Sequence, residues 1–258
     1  MNKLWKKYEL TDETIEISGH TLYRIRALRS FGVIETGQLG GFIEKEENLS
    51  HDGDCWVFND AAVYDNAMVC DDAFIADDAK IFDNAVVRGG ASVCGRAWIF
   101  GNAKIFGIAK VLDDVHISDY ARVHDRAWIE NWALICGHAR VHDCAKISNH
   151  ATIDGFARIY NNAEIYDYAK VQDDASVGGN ARVHGDACIY ECAKVYTRAE
   201  VYGQAKVCGC AEVYGYSVVF DDAMICDSAQ VYDDARILYR SRVGGKRHVI
   251  SVVASNDM

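Results

Sequence analysis

The chain has 258 residues, half of them apolar, and a formal net charge of −11. The acidic balance argues against general nucleic-acid binding and against anionic membrane surfaces, while leaving room for a local basic stripe. No apolar run is long enough to span a bilayer as a helix, and Pro is absent, which suits continuous backbone ladders that a missing N–H would interrupt.

The first stretch, Met1 to Thr11, is charged and lacks an apolar h-region, so export is not expected and a cytoplasmic location is. Residues 1–56 follow no fixed period and are expected to cap the body that follows. Within them, Leu22 to Ala27 alternates apolar and polar residues as a half-buried strand does, and the acidic run Glu44 to Glu47 suits a loop. Ten cysteines are scattered over varied positions, among them Cys70, Cys94, Cys136, Cys144, Cys192, Cys208, Cys210 and Cys226. Without an export signal they are expected to be reduced thiols, and Cys208-Gly-Cys210 lacks a second ligand pair, so no metal site is assigned.

From Val57 to Val243 the chain repeats every six residues without insertion or deletion. Each sixth residue is Val or Ile at all 32 occurrences, and four residues after each anchor sits Ala at 28 of 31 sites, the exceptions being Val115, Ser217 and Ser241. Ala and the following Val or Ile are two apart, so an extended chain points both to one side, and the residues between and after them point out. The last two residues of the hexad are mostly Asp, Asn or Gly, as in Asp65-Asn66 and Gly101-Asn102, and these tolerate the left-handed backbone of a tight corner. Each hexad is therefore a short strand and a corner. Short strands bury their inner faces only by stacking coil on coil, and three hexads per coil give about ten coils. Residues 244–258 are expected to end the stack as a capping strand, with His248 to Val253 covering the last coil or pairing with its counterpart in another chain.

Hexads with an aliphatic residue and a small residue four later resemble the left-handed parallel β-helix of the LpxA-like hexapeptide-repeat superfamily. The run Gly40-Gly41-Phe42-Ile43, Asn48-Leu49-Ser50 and Gly53-Asp54-Cys55-Trp56-Val57 is similar to YdcK-like proteins, classed as transferases without an established function, and to prophage-type repeat proteins. The resemblance implies an all-β fold: a single-stranded, left-handed, three-sided solenoid over residues 57–243 with β caps at both ends. The superfamily's trimeric acyltransferases imply acyl-CoA donors, sites between subunits and a His general base.

Residues eighteen apart should stack. One outward column then reads Lys104, Arg122, Arg140, Arg158, Ser176 and Lys194, beside Arg88, Phe106, His124, His142 and Tyr160, with Tyr196, Tyr214 and Tyr232 further on. This basic and aromatic stripe could take an anionic ligand through charge and stacking, or it is a solvated face compensated by corner residues such as Asp125 and Asp143. The second corner residue is often Asp or Asn near the ends but becomes Ile108, Tyr120, Trp132, His138, His150, Phe156 and Tyr168 in the middle. Trp132, His150 and Tyr168 should line one edge and Tyr120, His138 and Phe156 the next, with Trp98, His116, Leu134 and Cys136 between them. An apolar patch of that kind points to an oligomer interface or ligand groove.

Two functions follow. The first is a non-catalytic scaffold or binding protein, a homodimer or homotrimer through the aromatic band, with no cofactor and no membrane partner. The second is an acyltransferase-like enzyme using acyl-CoA, with His116, His124, His138, His142 or His150 taking a proton from the attacking group. None of the five lies in a sequence motif of catalysis. The unbroken hexads also leave no excursion loop to shape a pocket, so the first reading is preferred.

Overall fold

Each hexad of the computed structural model, which describes residues 6–251, 253 and 254, forms a two-residue strand followed by a corner. The first corner residue sits in the left-handed region throughout, with φ between 52° at Asn59 and 77° at Gly95. The second does not, so only one of the two Asp/Asn/Gly positions is needed for backbone freedom. Three residues at the first position lack the usual tolerance: Glu191, Thr197 and Tyr239.

Asp has a second role at the corner that the repeat alone does not disclose. Its carboxylate accepts a hydrogen bond from the amide of the corner residue one coil later. Asp71 accepts from Gly89, Asp77 from Gly95 and Asp83 from Gly101, each at 3.0 Å, and Asp173 accepts from Glu191 at the same distance. A corner amide has no strand partner, so the carboxylate supplies the acceptor that the turn lacks. Strand amides instead donate to carbonyls of the next coil, as Trp56 does to Ala73 and Met68 to Ala85.

The alanines and the Val or Ile anchors are buried. Ala fits where the chain has just left a corner and the three sides converge, while the branched anchors fill the broader middle. At the two Ser exceptions the hydroxyl donates to the carbonyl three residues back, Ser217 to Tyr214 at 2.8 Å and Ser241 to Leu238 at 2.7 Å, so the buried oxygen keeps a partner.

The chain divides into two compact units, Met1–Asp125 and Arg126–Met258. In the first, parallel strands stack on three faces: one from Ala62–Val63 to His116–Ile117, a second from Met68–Val69 to Arg122–Val123, and a third from Trp56–Val57 to Lys110–Val111. These make four coils. In the second unit the first face runs from Leu134–Ile135 to Arg242–Val243, the second from Arg140–Val141 to His248–Val249, and the third from Trp128–Ile129 to Arg236–Leu238 and Val253–Ala254. These make seven. With the irregular coil before Trp56 the turns number about twelve, against about ten from the hexads alone. The difference arises because residues on either side of the strict repeat still pair with it.

The cap belongs to the first unit. Strands β1 (Tyr8–Ile17), β2 (His20–Ala27) and β3 (Leu39–Ile43) form an antiparallel ribbon, and β3 then pairs in parallel with the first coil through Phe42–Ala62 and Ile43–Val63. The alternating run Leu22 to Ala27 lies in β2 as expected. Gly40 and Gly41 are required by close packing: a Cβ would come 2.6 Å from Val57 O at Gly40 and 2.5 Å from Ala61 O at Gly41. The acidic segment turns through a short 3-10 helix, Glu46–Asn48. Buried Asn48 donates to Ala67 O at 2.8 Å and Asp65 O at 3.1 Å, and accepts from the Lys45 amide at 2.9 Å, standing in for a missing stretch of ladder. At the other end the tail is not one strand. His248–Val249 pairs with Gln230–Val231 and Val253–Ala254 with Ile237–Leu238, so the tail turns a corner and prolongs two ladders. Val252, within the expected strand, lies outside the described residues.

Asp83→Gly keeps the corner conformation but removes the acceptor for Gly101, and chemical denaturation should show a loss of about 1–2 kcal/mol. Asp83→Asn, which retains a side-chain oxygen, should lose less. Thr197→Gly relieves a β-branched residue of a left-handed conformation and should raise stability by about 1 kcal/mol in the same assay.

Candidate functional site

The second corner residue projects outward, and successive coils are about 4.8 Å apart, close to the spacing of stacked rings. In-register aromatics therefore stack. In the second unit, His150 lies between Trp132 and Tyr168, with ring centroids 5.1 and 4.9 Å away and interplanar angles of 9° and 2°. The edge is held by backbone bonds from Trp132 to Asn149 (3.0 Å) and from His150 to Asp167 (2.8 Å). Across the first face of this unit, His138 stacks on Phe156 at 4.7 Å and 2°. Between the two edges lie Leu134, Thr152 and Lys170. Trp132, Phe156 and Tyr168 are 55%, 56% and 57% exposed, so these rings bury one another's faces while their outer edges meet solvent.

The other members of the expected band belong to the first unit. Trp98 stacks on His116 at 5.3 Å with the Lys80 ammonium 5.3 Å from its centroid, and Tyr120 is exposed at a corner.

The basic stripe has a part in each unit. In the first, Lys104 pairs with Arg122, Phe106 stacks on His124 at 4.6 Å, and Arg88 covers Phe106. In the second, Arg140 pairs with Arg158 and His142 stacks on Tyr160 at 5.9 Å. The corner carboxylates expected to compensate the arginines turn to histidines instead: Asp125 lies 3.0 Å from His124 Nδ1 and Asp143 3.2 Å from His142 Nδ1. Among the described residues, no carboxylate lies within salt-bridge distance of Arg140 or Arg158. Further along this column Tyr196, Tyr214 and Tyr232 stack at 4.9 and 5.1 Å. Burial and the Glu212 carboxylate, which accepts from its hydroxyl at 3.1 Å, push the Tyr196 phenol well above its ordinary value.

Sequence reasoning missed a third aromatic column in the second unit: Tyr166, His184, Tyr202 and Phe220, stacked at 4.6, 5.0 and 5.2 Å. The same step of eighteen would have found it. It occupies the same position after the anchor as the column through Phe106 and Tyr160.

Within each unit the structure places the candidate histidines on separate elements. His116 is on an outward strand and His124 on the column after the second face of the first unit. In the second unit His138 and His150 lie at different corners, and His142 sits on the column after the second face. Surface hollows lined by Asn180, Arg182, Arg198 and Glu200, by Asp227, Arg242 and Gly244 to Arg247, and by Lys45, Glu47, Asn48 and Asn66 to Met68 contain none of the five.

One cluster was not anticipated. His20 on β2 points Nδ1 at Glu44 Oε1 (3.0 Å) and Nε2 at Asp65 Oδ1 (3.3 Å), and Glu44 also accepts from the Asp65 amide at 2.7 Å. These three residues converge closely enough to hold a metal ion, and they equally form a clasp between cap and first coil. The hydrogen bond to Glu44 raises the His20 pKa, helped by Asp65 and Glu16 and opposed by desolvation; the same bond lowers that of Glu44, with Lys45 contributing.

No protein-family profile matches the chain, and a search of curated proteins finds no match. Among the described residues, no helix is long and apolar enough to cross a membrane. The architecture thus stands on its own evidence as an all-β solenoid of stacked parallel coils.

The clasp has a definite pH dependence. A raised His20 pKa contributes stability in full below its ordinary value of 6.5, lost as pH rises through the folded value. A lowered Glu44 pKa contributes above its ordinary 4.5, lost as pH falls through the folded value. Protection of the β2 and β3 amides, relative to their intrinsic exchange rates, should therefore be greatest between these two values and fall as pH rises through the raised His20 pKa. His20→Gln should remove the alkaline limb.

Proposed function

We propose that this protein is a non-catalytic solenoid scaffold that self-associates through the aromatic edges of its second unit. The observation that carries this reading is the pair of stacked edges, Trp132–His150–Tyr168 and His138–Phe156, flanking Leu134. Corners of a solenoid have no internal use for large rings, and the rest of the coil core is already complete with Ala, Val and Ile. Preformed stacks lose little side-chain freedom on docking, which favours a flat, rigid contact. A second copy can offer the same edges, so a two-fold contact pairs each edge with itself, and a three-fold ring pairs one edge with the other. In the second unit His138, His142 and His150 lie on separate corners and columns, and the hollows lined by Asn180, Arg182, Arg198 and Glu200 and by Asp227, Arg242 and Gly244 to Arg247 hold none of them, which favours the scaffold.

The hexads and the run from Gly40 to Val57 still resemble the LpxA-like superfamily and its YdcK-like members, and a second reading follows. In it the chain binds acyl-CoA, with Arg140 and Arg158 taking phosphate groups beside His142 and Tyr160. Its support is the absence of a carboxylate partner at those two arginines.

Sedimentation of wild type and of the Trp132→Asp/Phe156→Asp double variant tests the first reading. Wild type is expected as a defined oligomer and the variant, with unchanged circular dichroism, as a single chain. An unchanged mass would remove the interface. Calorimetric titration with acetyl-CoA tests the second: saturable heat abolished by Arg140→Ala/Arg158→Ala would replace the scaffold by a CoA-binding protein.

A further inference from the structure

The cysteines look scattered along the sequence, but the coil gathers them. In the second unit, every cysteine after Cys144 lies on the first face or on the corner that follows it: Cys188 on the strand, Cys208 and Cys226 just past it, Cys192 and Cys210 at the corner. All are free thiols. Cys208 and Cys226 are buried and engaged elsewhere. Cys208 faces the Tyr190 phenol; Cys226 lies 3.8 Å from the Asp227 carboxylate and faces the Arg242 guanidinium. Cys188 points at Gln172 Oε1, 4.0 Å away.

Cys192 and Cys210 differ in two respects. Both are exposed, and both occupy the outward second corner position of successive coils, so that one thiol stands above the other. Backbone bonds from Cys192 to Gly209 (2.9 Å) and from Cys210 to Asp227 (2.6 Å) hold them one coil apart. Parallel side chains one coil apart keep their Cβ atoms near the coil rise of about 4.8 Å. That is wider than the roughly 3.5–4.5 Å that an unstrained disulfide requires. Among the described residues, no third Cys, His or carboxylate completes a set of three ligands here, so a tetrahedral zinc site is not preformed. Two sulfur ligands with no others suit a soft monovalent d10 ion, which is satisfied by two thiolates on opposite sides. The neighbouring carboxylates of Asp174 and Glu191 make the corner negative and draw a cation toward it.

We propose that Cys192 and Cys210 form a two-coordinate site for monovalent copper. Binding replaces two S–H bonds with two S–Cu bonds and releases two protons; the copper stays monovalent and no electron is transferred. The site is independent of the scaffold reading, because it lies at coils beyond the aromatic edges and uses none of their residues.

The test is an anaerobic competition in which reduced full-length protein withdraws Cu(I) from its coloured bicinchoninate complex. Wild type is expected to withdraw one equivalent per chain more than Cys192→Ser/Cys210→Ser, with each single variant losing the same equivalent. Cys208→Ser/Cys226→Ser should retain it. X-ray absorption of the singly loaded wild type should show two sulfur neighbours. Equal withdrawal by wild type and Cys192→Ser/Cys210→Ser, loss of the equivalent in Cys208→Ser/Cys226→Ser, or three sulfur neighbours would overturn the proposal. Circular dichroism of each variant guards against unfolding, which exposed corner serines should not cause.

Discussion

The structure depends on one constraint: the backbone of each coil must find its hydrogen-bond partners in the next coil at a constant step. A two-residue strand is too short to be stable by itself, and its inner Ala and Val or Ile are buried only when the coils above and below are in register. A single inserted residue would turn the core outward on every later strand. That is why the hexads run without interruption. It also explains the corner aspartates, whose carboxylates serve amides that the strand ladders leave out.

The same constraint shapes the surface. Because coils are spaced like stacked rings, any two outward residues one coil apart become neighbours, whatever their chemistry. Rings stack, as along Tyr166, His184, Tyr202 and Phe220. Arginines are brought side by side, as Arg140 and Arg158 are. Thiols fall one above the other, as at Cys192 and Cys210. A solenoid of this kind makes linear arrays readily and concave pockets poorly, so contact surfaces and shallow two-residue sites are more natural to it than enclosed catalytic centres. The cap is the exception. There the chain leaves the repeat, and buried groups such as Lys7, bonded to Cys55 O at 2.9 Å, and Asn48 make specific polar contacts that no hexad could provide.

Much of this was legible in the sequence. The period of six, the inward pairing of Ala with Val or Ile, and the need for a left-handed corner all follow from side-chain alternation and backbone sterics, and the strand at Leu22 to Ala27 follows from its alternation. Steps of eighteen correctly anticipated that Trp132, His150 and Tyr168 share an edge and that His138 lies beside Phe156. The assignment of Asp125 and Asp143 as partners for the arginine column was not legible, because a carboxylate chooses among neighbours by distance and angle. The His20–Glu44–Asp65 clasp was hidden for a similar reason: it joins residues from an irregular cap, where no period relates positions.

The sequence by itself thus determined the coil, since a strict period and a residue's size and conformational freedom are local properties that stacking only repeats. Tertiary structure alone decided the contacts that side chains make: carboxylates with amides one coil on, Asp with the His beside it in place of an arginine, and cap with first coil. Those depend on which groups the register brings within a few ångströms and how they face one another, and neither is written in the order of the residues.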